Sequence, residues 1–211
     1  MKGFPLRLAL LLPCLLMALA CESGKEAYDP TPPGHATALL IDRQSLPDHR
    51  HADALDRLQR DFLAMQSPGD HMILANEQGK TDATSPLTLT LPDSPLATTR
   101  LLGSLREKLD EGRSKAWQDK NEALLLTTLR LNSLTPPRCL YLAVNPDSAP
   151  IPALPETFEI NEDQPSPFNA FLLTPTAGDP DRVSVWVRHL HTLGAQRIMR
   201  HSLGEELPAC R

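Results

Sequence analysis

Short apolar runs alternate with amphipathic stretches along most of this chain, and that alternation predicts its elements. Ala36-Thr37-Ala38-Leu39-Leu40-Ile41-Asp42 is nearly continuous in apolar residues, the pattern of a strand buried on both faces. Ala54, Leu55, Leu58, Phe62 and Met65 then recur at helical spacing, with Asp56, Arg57, Arg60 and Asp61 on the other side. Asp48 is placed to cap this helix. Ser67-Pro68-Gly69-Asp70 stops it, and His71-Met72-Ile73-Leu74-Ala75 reads as a second strand. Leu87, Leu89 and Leu91 alternate with Thr88 and Thr90 between Pro86 and Pro92, which predicts a third strand with one exposed face.

Two leucine-striped helices follow. One runs from Leu96 to Glu111 with Leu101, Leu102, Leu105 and Leu109 on one face; the other runs from Asn121 to Leu134 with Leu124, Leu125, Leu129 and Leu134. Gly112 and Ser114 break the chain between them, and Pro136-Pro137 ends the second. Cys139-Leu140-Tyr141-Leu142-Ala143-Val144 reads as another buried strand, turned out by Asn145-Pro146-Asp147. Ser148 to Pro167 is Pro-rich and reads as a surface loop, and Phe168 to Thr174 is a short apolar segment. Val183-Ser184-Val185-Trp186-Val187 alternates as a strand does, Thr192 to Ala195 reads as a turn, and Gln196 to Leu203 fits a strand or a short helix. This order predicts an α/β fold: a three-layer sandwich with a mostly parallel central sheet flanked by helices, in one domain over residues 36–211.

The first twenty residues follow another logic. Lys2 and Arg7 precede an apolar stretch from Leu8 to Ala20, the layout of an export signal and too short to span a bilayer as a helix. Leu15-Leu16-Met17-Ala18-Leu19-Ala20-Cys21 ends in small-x-small-Cys and resembles a bacterial lipobox. The resemblance implies that the Cys21 thiol is acylated, palmitate-like chains holding it in the membrane, and that Cys21 is the mature N-terminus. Glu22 follows, where an Asp often signals inner-membrane retention, so the periplasmic leaflet of the outer membrane is the implied location. Ala18-Leu19-Ala20 is also an Ala-x-Ala site for ordinary signal peptidase, which would release a soluble protein starting at the same cysteine. Residues 21–35 are polar and Pro-rich and read as the lipidated cysteine with a flexible tether, with a reach of about 40 Å when extended.

With Cys14 in the leader and Cys21 lipidated, Cys139 and Cys210 remain, an even pair in an oxidising compartment. They are expected to form a disulfide that ties the C-terminal tail to the domain; the alternative is two unconnected thiols. The net charge of −5 and the absence of a basic stripe argue against nucleic acid as a partner. Two Trp, two Tyr and five Phe are too few to suggest an aromatic binding platform.

Leu39-Leu40-Ile41-Asp42, a helix, then Gly69-Asp70 leading into His71-Met72-Ile73-Leu74 resembles a von Willebrand factor A-type domain over about residues 36–150. The helix from Asn121 and the strand ending in Asn145-Pro146-Asp147 fall in the order that family implies. The family holds Mg²⁺ with Asp-x-Ser-x-Ser after the first strand, plus a Thr and an Asp from later loops, all hard oxygen ligands. Here the loop is Asp42-Arg43-Gln44-Ser45-Leu46: Asp42 matches, Gln44 and Leu46 replace both serines, and Ser45 is out of phase. Asn145 stands where an Asp is expected, and Arg43 adds positive charge. Asp42 and Ser45 are therefore weak metal candidates, Asp42 being as well suited to pair with Arg43 or cap a helix, and no cofactor is expected.

Asp48-His49-Arg50-His51-Ala52-Asp53 is rich in ligand types, with His49 and Asp53 one helical turn apart, but it reads equally as a polar helix start. His189 and His191 share one side of the strand expected there, with His201 as a possible third, or form a solvated edge. No Gly-x-Ser-x-Gly, His-Glu-x-x-His or phosphate-binding glycine loop occurs. The expectation is a non-enzymatic envelope lipoprotein, anchored in the membrane by lipid, that binds or assembles with another envelope protein. The competing expectation is a periplasmic metal-dependent binder or hydrolase using the Asp42/Ser45 loop or the His49–Asp53 segment.

Overall fold

The computed structural model describes residues 34–75, 87–111, 120–151, 167–175 and 178–210. Expectations for the export signal, for Cys21 and most of its tether, for the Gly112–Ser114 break and for residues 152–166 of the Pro-rich loop lie outside the described residues.

Six strands form one sheet: β1 (Ala36–Ile41), β2 (His71–Ala75), β3 (Leu87–Thr90), β4 (Arg138–Ala143), β5 (Phe168–Thr174) and β6 (Ala195–Ser202). Their order is β3-β2-β1-β4-β5-β6. All neighbours run parallel except β3, which is antiparallel to β2. Four helices complete the fold: α1 (Asp48–Ala64), α2 (Pro95–Glu111), α3 (Lys120–Asn132) and α4 (Pro180–Thr192).

The alternation of side chains along each strand divides the core in two. Leu39 and Ile41 of β1, Met72 and Leu74 of β2, Tyr141 of β4 and Phe171 and Leu173 of β5 face one side. There they meet Leu55, Leu58 and Phe62 of α1 and Leu105 of α2. Ala36, Ala38, Leu40, Ile73, Leu140, Leu142, Ala170 and Leu172 face the other, against Ala123, Leu124 and Leu131 of α3 and Trp186 and Leu190 of α4. Helices on both faces explain why β1 and β4 are apolar at consecutive positions and buried throughout. The α/β architecture read from the sequence is the one observed.

Local departures have physical causes. The N-cap of α1 is Pro47, with no side-chain cap, so Asp48 is the first helical residue and not the cap expected of it. Val183 to Val187 is not a strand but the middle of α4. Pro180 opens that helix, and the Asp179 carboxylate accepts from the Asp181 N–H at 3.0 Å. Its buried residues are Trp186, His189 and Leu190, at helical spacing, while Val185 is exposed. The valine alternation is real, but tertiary packing of the Trp186 face outweighs β-propensity. Phe168 to Thr174, read only as an apolar segment, is a strand between β4 and β6, and 196–203 resolves as strand β6.

At the start of the sheet the chain crosses close to the turn before β2. A Cβ on Gly34 would collide with the Gly69 carbonyl oxygen, and Gly69 itself has φ of 82°. Both positions therefore require glycine. The buried Asp70 carboxylate fixes this crossing by accepting from the backbone N–H of His35 (2.8 Å) and of Ser67 (2.7 Å).

No C-terminal helix follows β6 among the described residues. Instead the tail packs Leu203, Leu207 and Cys210 against the α1 side of the sheet. Cys210 forms a disulfide with Cys139 of β4, 71 residues earlier, with Cα atoms 5.7 Å apart. Beside it the buried Tyr141 hydroxyl donates to the Pro208 carbonyl at 2.7 Å. Tyr141 stacks on Phe171 and meets the edge of Phe62, so tail, sheet and α1 share one aromatic contact region.

Candidate loop cluster at the carboxyl ends of the strands

In a sheet ordered this way the chain leaves β1 and β4 in opposite directions, and the crevice beyond their carboxyl ends is where doubly wound folds place ligands. Asp42 is the first residue past β1, and Asn145 is the second past β4. The Asp42 carboxylate accepts from the backbone N–H of Gln44 (3.1 Å) and Ser45 (3.3 Å), which folds the loop back on itself. Asp42 thus caps its own turn and not α1.

Ser45 is buried and joins the two loops. Its hydroxyl donates to the Asp42 carbonyl (3.1 Å) and accepts from the Asn145 N–H (3.1 Å). Its carbonyl accepts from the Ser148 hydroxyl at 3.4 Å. Leu46, at the position where the resembled metal motif has its second serine, is 0 % exposed and belongs to the core. Asn145 folds its own loop by accepting from the Asp147 N–H at 3.2 Å. Asp147 in turn accepts from the Asp179 N–H at 2.8 Å, linking the β4 loop to the start of α4. The loops after β1, β4 and β5 are thus knitted by side-chain oxygens and backbone amides.

The histidine-rich candidates do not come together. His49 and Asp53 are exposed residues of α1, one turn apart. His189 and His191 lie on helix α4, where a spacing of two separates them around the axis, so the shared strand face expected for them is absent. His189 is buried against Trp186, ring centroids 6.1 Å apart, and its Nε2 has no hydrogen-bond partner; burial lowers its pKa. The His191 Nδ1 lies 2.7 Å from the Ala195 carbonyl oxygen, and the His201 Nδ1 lies 3.4 Å from a Glu205 carboxylate oxygen. Among the described residues no three His, Cys, Asp or Glu side chains are grouped to hold a metal.

Sequence reasoning singled out Asp42, Ser45 and Asn145 but missed how they are joined. It placed Asp147 in a turn without a role and gave none to Ser148 or Asp179. The Asn-Pro-Asp turn was the available signal, because Asn and Asp side chains bind nearby amides. No family model and no curated protein matches the chain.

Proposed function

We propose that this protein is a lipid-anchored component of a bacterial envelope whose von Willebrand A-like domain docks another envelope protein without catalysing a reaction. The anchor rests on the Leu15–Cys21 segment and its match to a lipobox. The observation that carries the non-catalytic part is Ser45. Its hydroxyl and carbonyl are engaged by Asp42, Asn145 and Ser148, and Leu46 beside it is buried in the core. In this reading the crevice is a fixed polar surface, built to hold shape against a partner. The domain begins its sheet at Ala36, the opposite end of β1 from Asp42, which leaves the crevice away from the tether's point of entry.

The test is crosslinking and affinity capture of the acylated protein from membranes. Reproducible recovery of one envelope protein, lost when the loop residues 43–45 or 145–148 are replaced, supports the reading; recovery of none contradicts it. A thermal-shift screen with Mg²⁺, Mn²⁺ and Zn²⁺ addresses the metal-dependent alternative, since a true ligand raises Tm by mass action. No rise is expected.

A further inference from the structure

We propose that the outer edge of β6 accepts an acidic, extended segment of a partner protein as a seventh strand. This rests on the protein-binding reading and adds to the strand-end crevice a second surface, with the chemistry of the segment it takes.

β6 ends the sheet and, at eight residues, is its longest strand. Among the described residues no strand pairs with its outer side, although Glu205 folds back on the Ser202 backbone and His191 meets the Ala195 carbonyl, so the edge open to pairing lies over residues 196–201. Its sequence, Ala-Gln-Arg-Ile-Met-Arg-His-Ser, holds two arginines, a histidine and no carboxylate, within a chain of net charge −5. Exposed Arg182 and Arg188 lie on α4, which packs against β6. Among the described residues neither they nor Arg197 make an ion pair. The opposite edge is different: β3 is four residues, Leu-Thr-Leu-Thr, without charge.

Register assigns the side chains. Met199 pairs with Phe171 and so shares its face with Arg197 and His201; Ile198 pairs with Ala170 and shares the other face with Arg200. Ile198 and Met199 are only half-buried. A seventh strand alternating carboxylates with apolar residues would place an acid beside Arg197 on one face, where His201 further along already meets Glu205, and cover Ile198 on the other. Main-chain bonds supply affinity in such strand addition, and side chains supply selectivity. The positive charges also act against the simplest competitor. Registers of two antiparallel β6 edges that set Arg197 against Arg197, or Arg200 against Arg200, would bring like charges together, which disfavours self-association in those registers.

The test uses the full-length protein and a labelled eight-residue peptide of alternating Glu and Val. The expected results are saturable binding by fluorescence anisotropy, weakened about tenfold by Arg197→Glu, and hydrogen-exchange protection over 195–202. A fully N-methylated peptide and one alternating Lys and Val should not bind. Equal binding by the N-methylated peptide, protection confined to other segments, or no binding at millimolar peptide would overturn the proposal. Concentration-dependent dimers abolished by Arg197→Glu would overturn it too, by making a second copy the occupant. If Arg197→Glu leaves Tm and capture of the envelope partner unchanged, the edge proposal fails while the broader binding reading stands.

Discussion

Single side chains set how firmly the strand-end loops are held. Ser45 is the residue most exposed to test, because one hydroxyl serves two loops whose contact at Asn145 is 100 residues away in the chain. Ser45→Ala should cost about 1–2 kcal/mol by urea unfolding, since it strands the buried groups it now satisfies. Asp42→Asn, which keeps an oxygen for the Gln44 and Ser45 amides, should cost less. His189 gives a pH signature of known sign. Burial lowers its folded-state pKa, so below its ordinary value near 6.5 the unfolded chain binds the extra proton more readily. Its contribution favours the fold at neutral pH and is lost as the pH falls through 6.5 toward the lowered folded-state value. His189→Leu should flatten the acid side of the stability profile measured by urea unfolding across that range. A profile equally steep in the variant would assign the slope to other groups.

Elements were legible wherever burial and periodicity agreed. β1, β2 and β4 could be read from consecutive apolar residues because both faces of these strands are covered. α1 could be read because one face is apolar and the other charged. α4 could not, because its valines alternate while its buried residues, Trp186, His189 and Leu190, include a histidine that hydropathy counts as polar. The better signal was Asp179-Pro180, a cap followed by a residue preset for the first helical turn. Asp179→Ala should therefore lower stability by about 1 kcal/mol, with Asp179→Ser recovering most of it, as read by thermal unfolding. The loop cluster was half-legible: Asp42 and Ser45 stood out by resemblance, whereas their bonds to Asn145 and Ser148 depend on β1 and β4 lying side by side. Local sequence carries no trace of that pairing.

Over the whole molecule, one face of the sheet is covered by α1, α2 and the C-terminal tail together. Cysteine arithmetic anticipated the Cys139–Cys210 link, and the aromatic contacts explain why the tail lies flat. Tyr141 stacks on Phe171 while its hydroxyl holds Pro208. Replacing both cysteines by alanine should destabilise the domain by roughly 2–4 kcal/mol, less than the loop of that length allows if the reduced tail stays docked through Tyr141. Tyr141→Phe in that background should release the tail, seen as faster hydrogen exchange over 203–210; no added exchange would show that Leu203 and Leu207 hold it alone. The central claim, an acylated protein presenting this domain in the envelope, is tested most directly by the intact mass of the protein extracted from membranes. A mature chain beginning at Cys21 and carrying acyl groups is predicted. A chain that retains residues 1–20, or begins at an unmodified Cys21, would contradict it.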